Sequence, residues 1–80
     1  MKKVTMKISP KYYKAVLSND KQFELRKDED DLEVGDILIL KEWDGEKFTG
    51  HFVNVPVRYI MRGEEAERYG VQKGWCVIGL

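Results

Sequence analysis

The sequence of 80 residues contains one cysteine, one histidine and two prolines, and it has no long hydrophobic run. The single cysteine excludes an internal disulfide, and one cysteine with one histidine cannot supply the four His/Cys ligands of a usual structural zinc site. No stretch approaches the roughly 20 apolar residues that span a bilayer, and the mixed N-terminal segment lacks the apolar region of a signal peptide. We therefore expect a cytoplasmic protein with no metal and no membrane partner.

Motifs that carry catalysis or hold cofactors are also absent. The chain has no Gly-x-Ser-x-Gly, no phosphate-cradling glycine-rich loop, no His-x-x-x-His and no paired-cysteine motif. Its histidine, His51, lies at the start of a predicted strand, where a surface or hydrogen-bonded polar group is the commoner role. Cys76 lies in an apolar segment and is expected to be a buried, inert thiol. These absences favour a binding module without a cofactor over an enzyme.

The formal net charge is zero, but the two signs are concentrated in different segments. Residues 1–27 carry eight basic and two acidic side chains, whereas residues 28–46 carry nine acidic side chains and one lysine. Such a chain can fold into a module with a basic face for phosphate and an acidic face pointing away. Alternatively, the segments neutralise each other across the fold, and the sequence leaves both possibilities open. Any affinity for nucleic acid has to come from the basic segment.

The first third of the chain predicts a strand, a helix and a second strand. Residues 3–8 alternate loosely between apolar and polar side chains, as in a half-buried strand. Ser9 and Pro10 favour the start of a helix that runs to about residue 18, where Asn19 is a left-handed stop. Residues 22–27 predict a second strand with two different faces. The core-facing residues of this strand are predicted to be Phe23 and Leu25, and the opposite face is predicted to carry Gln22, Glu24 and Arg26.

The remaining residues predict mainly β-structure. Residues 37–40 are apolar on both faces, which predicts a buried central strand ending at Trp43, and Asp44-Gly45 favours a two-residue hairpin turn. The returning strand is predicted over residues 47–61, with an edge or bulge at Pro56. Residues 64–69 predict a short second helix, and residues 75–80 predict a last strand beside the first. We therefore expect one domain over residues 1–80, a mainly-β (α+β) fold built as a small, closed or nearly closed β-barrel.

One short motif, Lys-x-x-Glu-x-Arg, follows the predicted helix directly. The segment Asn19-Asp20-Lys21-Gln22-Phe23-Glu24-Leu25-Arg26 resembles the Gly-x-Lys-x-x-Glu-x-Arg signature of the ASCH domains, a branch of the PUA-like superfamily, with asparagine in place of glycine. Residues 6–13, 34–43 and 74–80 are similar to the DUF3850 subgroup of bacterial and phage ASCH-like proteins. The resemblance implies a PUA-like barrel of five to six strands, a cleft beside the signature strand, and binding of RNA or a modified nucleotide.

Six residues are candidates for lining this cleft: Lys7, Tyr12, Lys21, Glu24, Arg26 and Trp43. Lysine and arginine suit a phosphate or a base edge, the carboxylate suits a base amino group or orients the arginine, and the aromatic rings suit base stacking. The structural alternative is an ion pair of Glu24 with one of the two cations, with Trp43 and Trp75 in the core.

Two other functions stay open at this point. Some ASCH-like proteins are enzymes, and in the amidohydrolases of acetylated cytidine the position of Glu24 holds a nucleophilic threonine. Glu24 removes that hydroxyl, yet Lys21 with Glu24 could still assist attack by water or by a 2′-hydroxyl, as in a small hydrolase acting on a modified nucleoside or on RNA. The third hypothesis is a protein-interaction domain of phage or mobile-element origin, as a monomer or weak homodimer, which an exposed edge near Pro56 would favour.

Overall fold

The computed structural model describes all 80 residues, which form six strands and two helices. Their order along the chain is β1 (Lys3–Ile8), α1 (Pro10–Leu17), β2 (Phe23–Lys27), β3 (Ile37–Trp43), β4 (Phe48–Pro56), β5 (Tyr59–Met61), α2 (Gly63–Arg68) and β6 (Trp75–Gly79). The molecule measures 36 × 26 × 22 Å. Neither helix has the length and hydropathy needed to cross a bilayer.

The strands form two three-stranded sheets. The first sheet has the order β1-β3-β4, with β1 parallel to β3, and the second has the order β2-β6-β5 with antiparallel pairs throughout. The hydrogen-bonded ladder does not run around the molecule, so the mainly-β fold is confirmed, but the strands form two separate sheets and not a closed barrel. The expected place of β6 beside β1 is wrong, because β1 pairs with β3 and β6 lies between β2 and β5.

The core lies between the two sheets and is closed by α1. Alternate residues of β1, β3 and β6 point inward, as the period of two requires. The buried apolar cluster consists of Met6, Ile8, Tyr13, Val16, Leu32, Leu38, Leu40, Val57, Cys76 and Ile78. The prediction of a buried central strand is confirmed, since β3 has a neighbour on both sides and two of its leucines are fully buried.

The predicted long strand over residues 47–61 is in fact two strands in different sheets. β4 ends at Pro56, where the missing N–H cannot continue a ladder. The next N–H group, of Val57, donates to the carbonyl of Asp36 at 2.8 Å, and that of Arg58 donates to the carbonyl of Gly79 at 2.8 Å. The chain therefore crosses from the first sheet to the second over two residues. Pro56 lies on an outer strand, in agreement with the predicted edge, but the strand ends there and does not continue through a bulge.

The two predicted turns differ in outcome. Asn19 has a φ of 64° and ends α1 as predicted, and Gly45 has a φ of 105° in the hairpin between β3 and β4. The predicted two-residue turn at Asp44-Gly45 is wrong, because the loop between β3 and β4 consists of the four residues 44–47 and Asp44 has no positive φ. The carboxylate of Asp44 accepts hydrogen bonds from the N–H groups of Glu46 and Lys47 at 2.9 and 3.0 Å. These hydrogen bonds stabilise the hairpin loop from its first residue.

Candidate functional site

A cleft of about 870 Å³ lies between the two sheets, where β1 and β2 face each other. β1 is the outer strand of the first sheet and β2 is the outer strand of the second. Each therefore presents an edge with no strand partner to the cleft. The side chains that line the cleft come mainly from these two strands and from the segment between α1 and β2.

The peptide groups of β2 alternate between β6 and the cleft. The ladder is continued beyond the two ends of the strand by hydrogen bonds from Leu80 N to Gln22 O and from Asp28 N to Gly74 O. In an antiparallel pair this pattern directs the peptide groups of even-numbered residues to β6 and those of odd-numbered residues to the free edge. The carbonyl of Phe23 and both peptide groups of Leu25 consequently face the cleft.

The peptide groups of β1 alternate in the same way. The bond from Ile37 N to Lys2 O directs the even-numbered residues of β1 to β3, so the odd-numbered residues face the cleft. The carbonyl of Lys7 is one of these groups, and it accepts a hydrogen bond from Nη2 of Arg26 at 2.5 Å. A side chain of β2 thus bridges the gap to the backbone of β1.

Glu24 is the centre of the cleft's charged cluster. This residue is 4% exposed, and its Oε2 accepts from Nε of Arg26 at 2.8 Å while its Oε1 accepts from Nζ of Lys21. Nζ of Lys21 also donates to the carbonyl of Phe23 at 2.7 Å. Glu24 therefore forms ion pairs with both cations, as expected if the motif has a structural role. These ion pairs lie within a cleft, as expected if the motif binds a ligand.

The orientation of β2 is opposite to the one predicted. Glu24 is buried and faces the first sheet, whereas Phe23 and Leu25 are 51% and 52% exposed. The prediction placed the apolar residues of β2 toward the core, as is usual for a strand that packs on an apolar core. β2 is at the edge of the cleft, so its inward side can carry charged groups that pair with each other and with free backbone carbonyls.

Two of the other predicted site residues join this cluster. Tyr12 lines the cleft, and its ring centroid lies 5.3 Å from Nζ of Lys21. Lys7 also lines the cleft, and its Nζ lies 4.2 Å from the ring centroid of Trp43. Trp43 itself is outside the main cleft, in an adjoining pocket of about 260 Å³ that Lys7 shares. The structure therefore brings five of the six candidates together and places the sixth beside them.

Several lining residues were not predicted from the sequence. Trp75, expected in the core, is only half-buried and lines the cleft. Phe23 and Leu25 reach the cleft around the edge of β2, and the carboxylates of Glu29 and Asp30 lie at its rim. The alternation of β6 carried a signal for Trp75, because Cys76 and Ile78 take the buried face and leave Trp75 on the other.

The lone histidine and cysteine are both outside the cleft lining. His51 has an exposed side chain whose Nδ1 lies 3.2 Å from Oε1 of Glu42, in agreement with the prediction of a hydrogen-bonded surface group. Cys76 is buried as predicted; burial raises the pKa of its thiol, and the nearby Asp28 carboxylate raises it further. No three His, Cys, Asp or Glu side chains are arranged to hold a metal ion.

The cluster retains donors that the protein itself does not use. Arg26 donates through Nε and Nη2, which leaves Nη1 without a protein acceptor, and the ammonium of Lys21 uses two of its three N–H groups. The side chains of Lys21 and Arg26 are 14% and 29% exposed, so both remain accessible from the cleft. These groups can donate charge-assisted hydrogen bonds to a phosphate or a carbonyl oxygen.

Comparison with known proteins supports a family assignment. No curated protein matches the chain. A model of the family DUF3850, described as a domain of unknown function, matches residues 4–80, which is nearly the whole sequence. The chain therefore belongs to the DUF3850 family.

Proposed function

We propose that the protein is a binding module of the ASCH branch of the PUA-like superfamily, and that its cleft binds a nucleotide or a short segment of RNA. In this interpretation the two sheets are the halves of a PUA-like barrel that is open between β1 and β2. The observation that carries the proposal is the cluster of Lys21, Glu24 and Arg26 within the cleft, with unused donors on both cations.

The charge distribution in the cleft favours a ligand with both acceptor and donor groups. Four basic residues line the cleft: Lys7, Lys21, Arg26 and Lys27. The ammonium of Lys7 lies over the ring of Trp43, at the border of the cleft. Three carboxylates also line it: Glu24, Glu29 and Asp30. A simple anion would use only the cations, whereas a nucleotide offers phosphate oxygens to the cations and amino or hydroxyl donors to the carboxylates. Tyr12 adds a half-exposed ring on which a base can stack.

The contacts of the cluster favour binding over hydrolysis. The amine of Lys21 donates to two acceptors, and both oxygens of Glu24 already accept from cations. A general base needs a lone pair directed at the proton that it removes. The Glu24 carboxylate keeps free lone pairs on both oxygens, but every contact observed in the cluster holds the three side chains to each other or to backbone carbonyls, and these contacts favour binding.

An NMR titration of the ¹⁵N-labelled protein tests the proposal. The probes are nucleoside monophosphates, modified nucleosides and short single-stranded RNA and DNA, each at low and at physiological salt. We expect shifts centred on Lys21, Glu24 and Arg26, with salt-sensitive affinity. Arg26→Ala should weaken binding about tenfold or more because a charge-assisted contact is lost, whereas the matched Arg68→Ala in α2, away from the cleft, should not. A folded protein that shows no shifts with any probe would leave the cluster as an ion pair that joins the two sheets.

A further inference from the structure

The outer face of the first sheet is not covered by any other element. α1 packs on the inner side, where Tyr13 donates to the carbonyl of Phe52 and stacks against the ring of His51. The alternation of the strands directs one set of side chains to the outer side. At the end of the sheet next to the cleft, this set comprises Lys7 of β1, Lys41 and Trp43 of β3, and Phe48 and Phe52 of β4. We refer to these five residues as the aromatic-lysine face.

Rings and cations alternate across this face. Trp43 and Phe48 are opposite each other on β3 and β4, with ring centroids 4.9 Å apart and planes inclined by 74°. Nζ of Lys7 lies 4.2 Å from the ring of Trp43, and Nζ of Lys41 lies 4.6 Å from the ring of Phe48. Phe52, opposite Lys41 in the register, is 57% exposed.

The charge on the outer side of this sheet has one sign. Its outward positions on β1, β3 and β4 include three lysines and no acidic residue, although the chain as a whole is neutral. The acidic residue of β3, Glu42, points to the inner side, where it accepts from Thr49 at 2.7 Å. Asp44, in the hairpin after β3, also lines the pocket that Lys7 and Trp43 share, but its carboxylate accepts from the N–H groups of Glu46 and Lys47. A surface that combines rings with an excess of cations is complementary to a partner that has flat π-systems and negative charge.

We propose that the aromatic-lysine face binds single-stranded nucleic acid and extends the cleft to a run of several nucleotides. The proposal rests on the proposed function, because Lys7 belongs to both surfaces: it lines the cleft and contacts Trp43. Successive outward residues of a strand are about 7 Å apart, so neighbouring nucleotides can reach successive rows of the sheet. Bases stack on the rings, and the lysines move from the rings to the phosphates.

Fluorescence anisotropy with labelled oligonucleotides tests the length dependence. The probes are a mononucleotide and oligomers of three, six and nine uridines, with oligothymidines of the same lengths as the DNA arm. We expect affinity to rise from the mononucleotide to the hexamer. Phe48→Ala and Phe52→Ala should each weaken hexamer binding by about tenfold, the usual effect of removing one base-stacking ring. Neither change should alter mononucleotide binding in the cleft.

Matched controls lie elsewhere on the molecule. Tyr59→Ala removes a ring that is 62% exposed on the second sheet, and it should leave hexamer binding unchanged. Lys41→Gln should reduce the slope of log affinity against log salt by about 0.7, the value for one phosphate contact on a single strand. Lys73→Gln, which removes an exposed lysine between α2 and β6, should not change that slope. Thermal unfolding of each variant establishes that it is folded.

The outcomes separate the two proposals. Two results would overturn the role of the aromatic-lysine face and leave the cleft proposal intact. The first is mononucleotide binding with no increase in affinity for longer oligomers. The second is hexamer binding that is unchanged in both phenylalanine variants. Hexamer binding that depends on the two phenylalanines, without mononucleotide binding, would support the face and contradict the cleft. A third result would also overturn the proposal: the protein binds no oligonucleotide but self-associates, and both phenylalanine variants abolish the self-association. The face would then be an interface between copies of the chain.

Discussion

Glu24 is the residue on which both the integrity and the chemistry of the cleft depend. Its buried carboxylate neutralises two cations from its own segment, and Arg26 in turn contacts the backbone of β1. Removal of one partner from a buried ion pair typically costs about 3–5 kcal/mol. Both cations here are partly exposed and can regain water, so the cost should be smaller. Glu24 therefore has a structural role whether or not a ligand binds.

We expect Glu24→Gln to lower the free energy of unfolding by about 1–3 kcal/mol, because two cations lose their shared acceptor while the side-chain volume is kept. Urea unfolding monitored by tryptophan fluorescence measures the change. Glu65→Gln on the exposed side of α2 is the matched control and should change the stability by less than about 0.5 kcal/mol. Equal stabilities of the two variants would show that the ion pairs contribute nothing to the fold.

Asp36 is a second buried carboxylate with a defined role. The backbone N–H groups of Lys2 and Glu33 donate to it at 2.9 and 2.8 Å and hold its pKa below the ordinary value of 3.8. The positive charges of the Lys2 side chain and the N-terminus act in the same direction. Since the folded-state pKa is the lower one, the unfolded chain takes up the proton first as pH falls.

The contribution of Asp36 to stability should therefore be complete at pH values above about 5 and should disappear as pH falls through the folded-state pKa. Asp36→Asn should be less stable than the wild type at pH 7, and the difference should shrink between pH 4 and pH 2. Urea unfolding across this range measures it, with Asp30→Asn in the exposed acidic loop as the control. A difference that stays constant with pH would contradict the assigned cause.

At the scale of elements, the end of α1 positions the charged cluster. The N–H groups of Asn19 and Asp20 donate to the carbonyls of Val16 and Ala15, which forms a Schellman motif with Asn19 in the left-handed conformation. The N–H of Lys21 also donates to the carbonyl of Ala15 at 3.0 Å. The backbone is thereby folded back over the helix end immediately before β2, and this sets where the side chain of Lys21 begins.

Asn19→Gly should be close to neutral in stability, and Asn19→Ala should cost about 1 kcal/mol, because an alanine at a φ of 64° is strained whereas glycine is not. Thermal and urea unfolding of both variants measure the difference. Asn54→Ala, at an exposed position of β4 with extended backbone, is the control for loss of an asparagine side chain. Equal destabilisation by glycine and alanine would show that the side-chain contacts of Asn19 matter and its conformation does not.

The features that the sequence predicts correctly are those that depend on single residues. The helix stop at Asn19 depends on the conformational limits of a single residue and is confirmed. The signals at Gly45 and Pro56 were located correctly, but the hairpin loop has four residues where two were predicted, and the strand ends at Pro56 where it was predicted to continue. The orientation of β2 depends on what faces it across the cleft, and alternation alone cannot distinguish an apolar core from a polar cleft. The site's charged residues were identified by their motif, while Trp75 was missed although the alternation of β6 places it on the side opposite the buried Cys76 and Ile78.

At the scale of the whole molecule, the acidic and basic segments of the chain partly neutralise each other. Lys2 of the basic segment lies 4.0 Å from the carboxylate of Asp36 in the acidic segment. Asp28 of the acidic segment pairs at 3.0 Å with Arg62, which lies outside the basic segment. Lys7 and Lys41 have no such carboxylate partner and lie over aromatic rings. The chain is neutral in total but has a local positive surface, and the acidic segment neutralises only part of the basic one.

The two sheets do not share a hydrogen-bonded ladder across the cleft. Because β1 and β2 have free edges on the cleft, amide protection along each strand should alternate. The amides of Glu24 and Arg26 donate toward β6 and should exchange slowly in deuterated buffer, while that of Leu25 faces the cleft and should exchange fast. On β1, the amide of Met6 should be protected and that of Thr5 should not. Hydrogen exchange followed by ¹⁵N NMR measures this at each residue.

The exchange pattern distinguishes an open structure from a closed barrel. If β1 and β2 were joined in a ladder, Leu25 and Thr5 would gain partners and the alternation would vanish. β6 supplies an internal control, because both of its neighbours are strands of the same sheet and its amides should be protected without alternation. Slowed exchange at Leu25 on addition of a nucleotide, with no change in β6, would mean that the ligand occupies the gap between the sheets. That result would connect the open edge of the fold directly to its function.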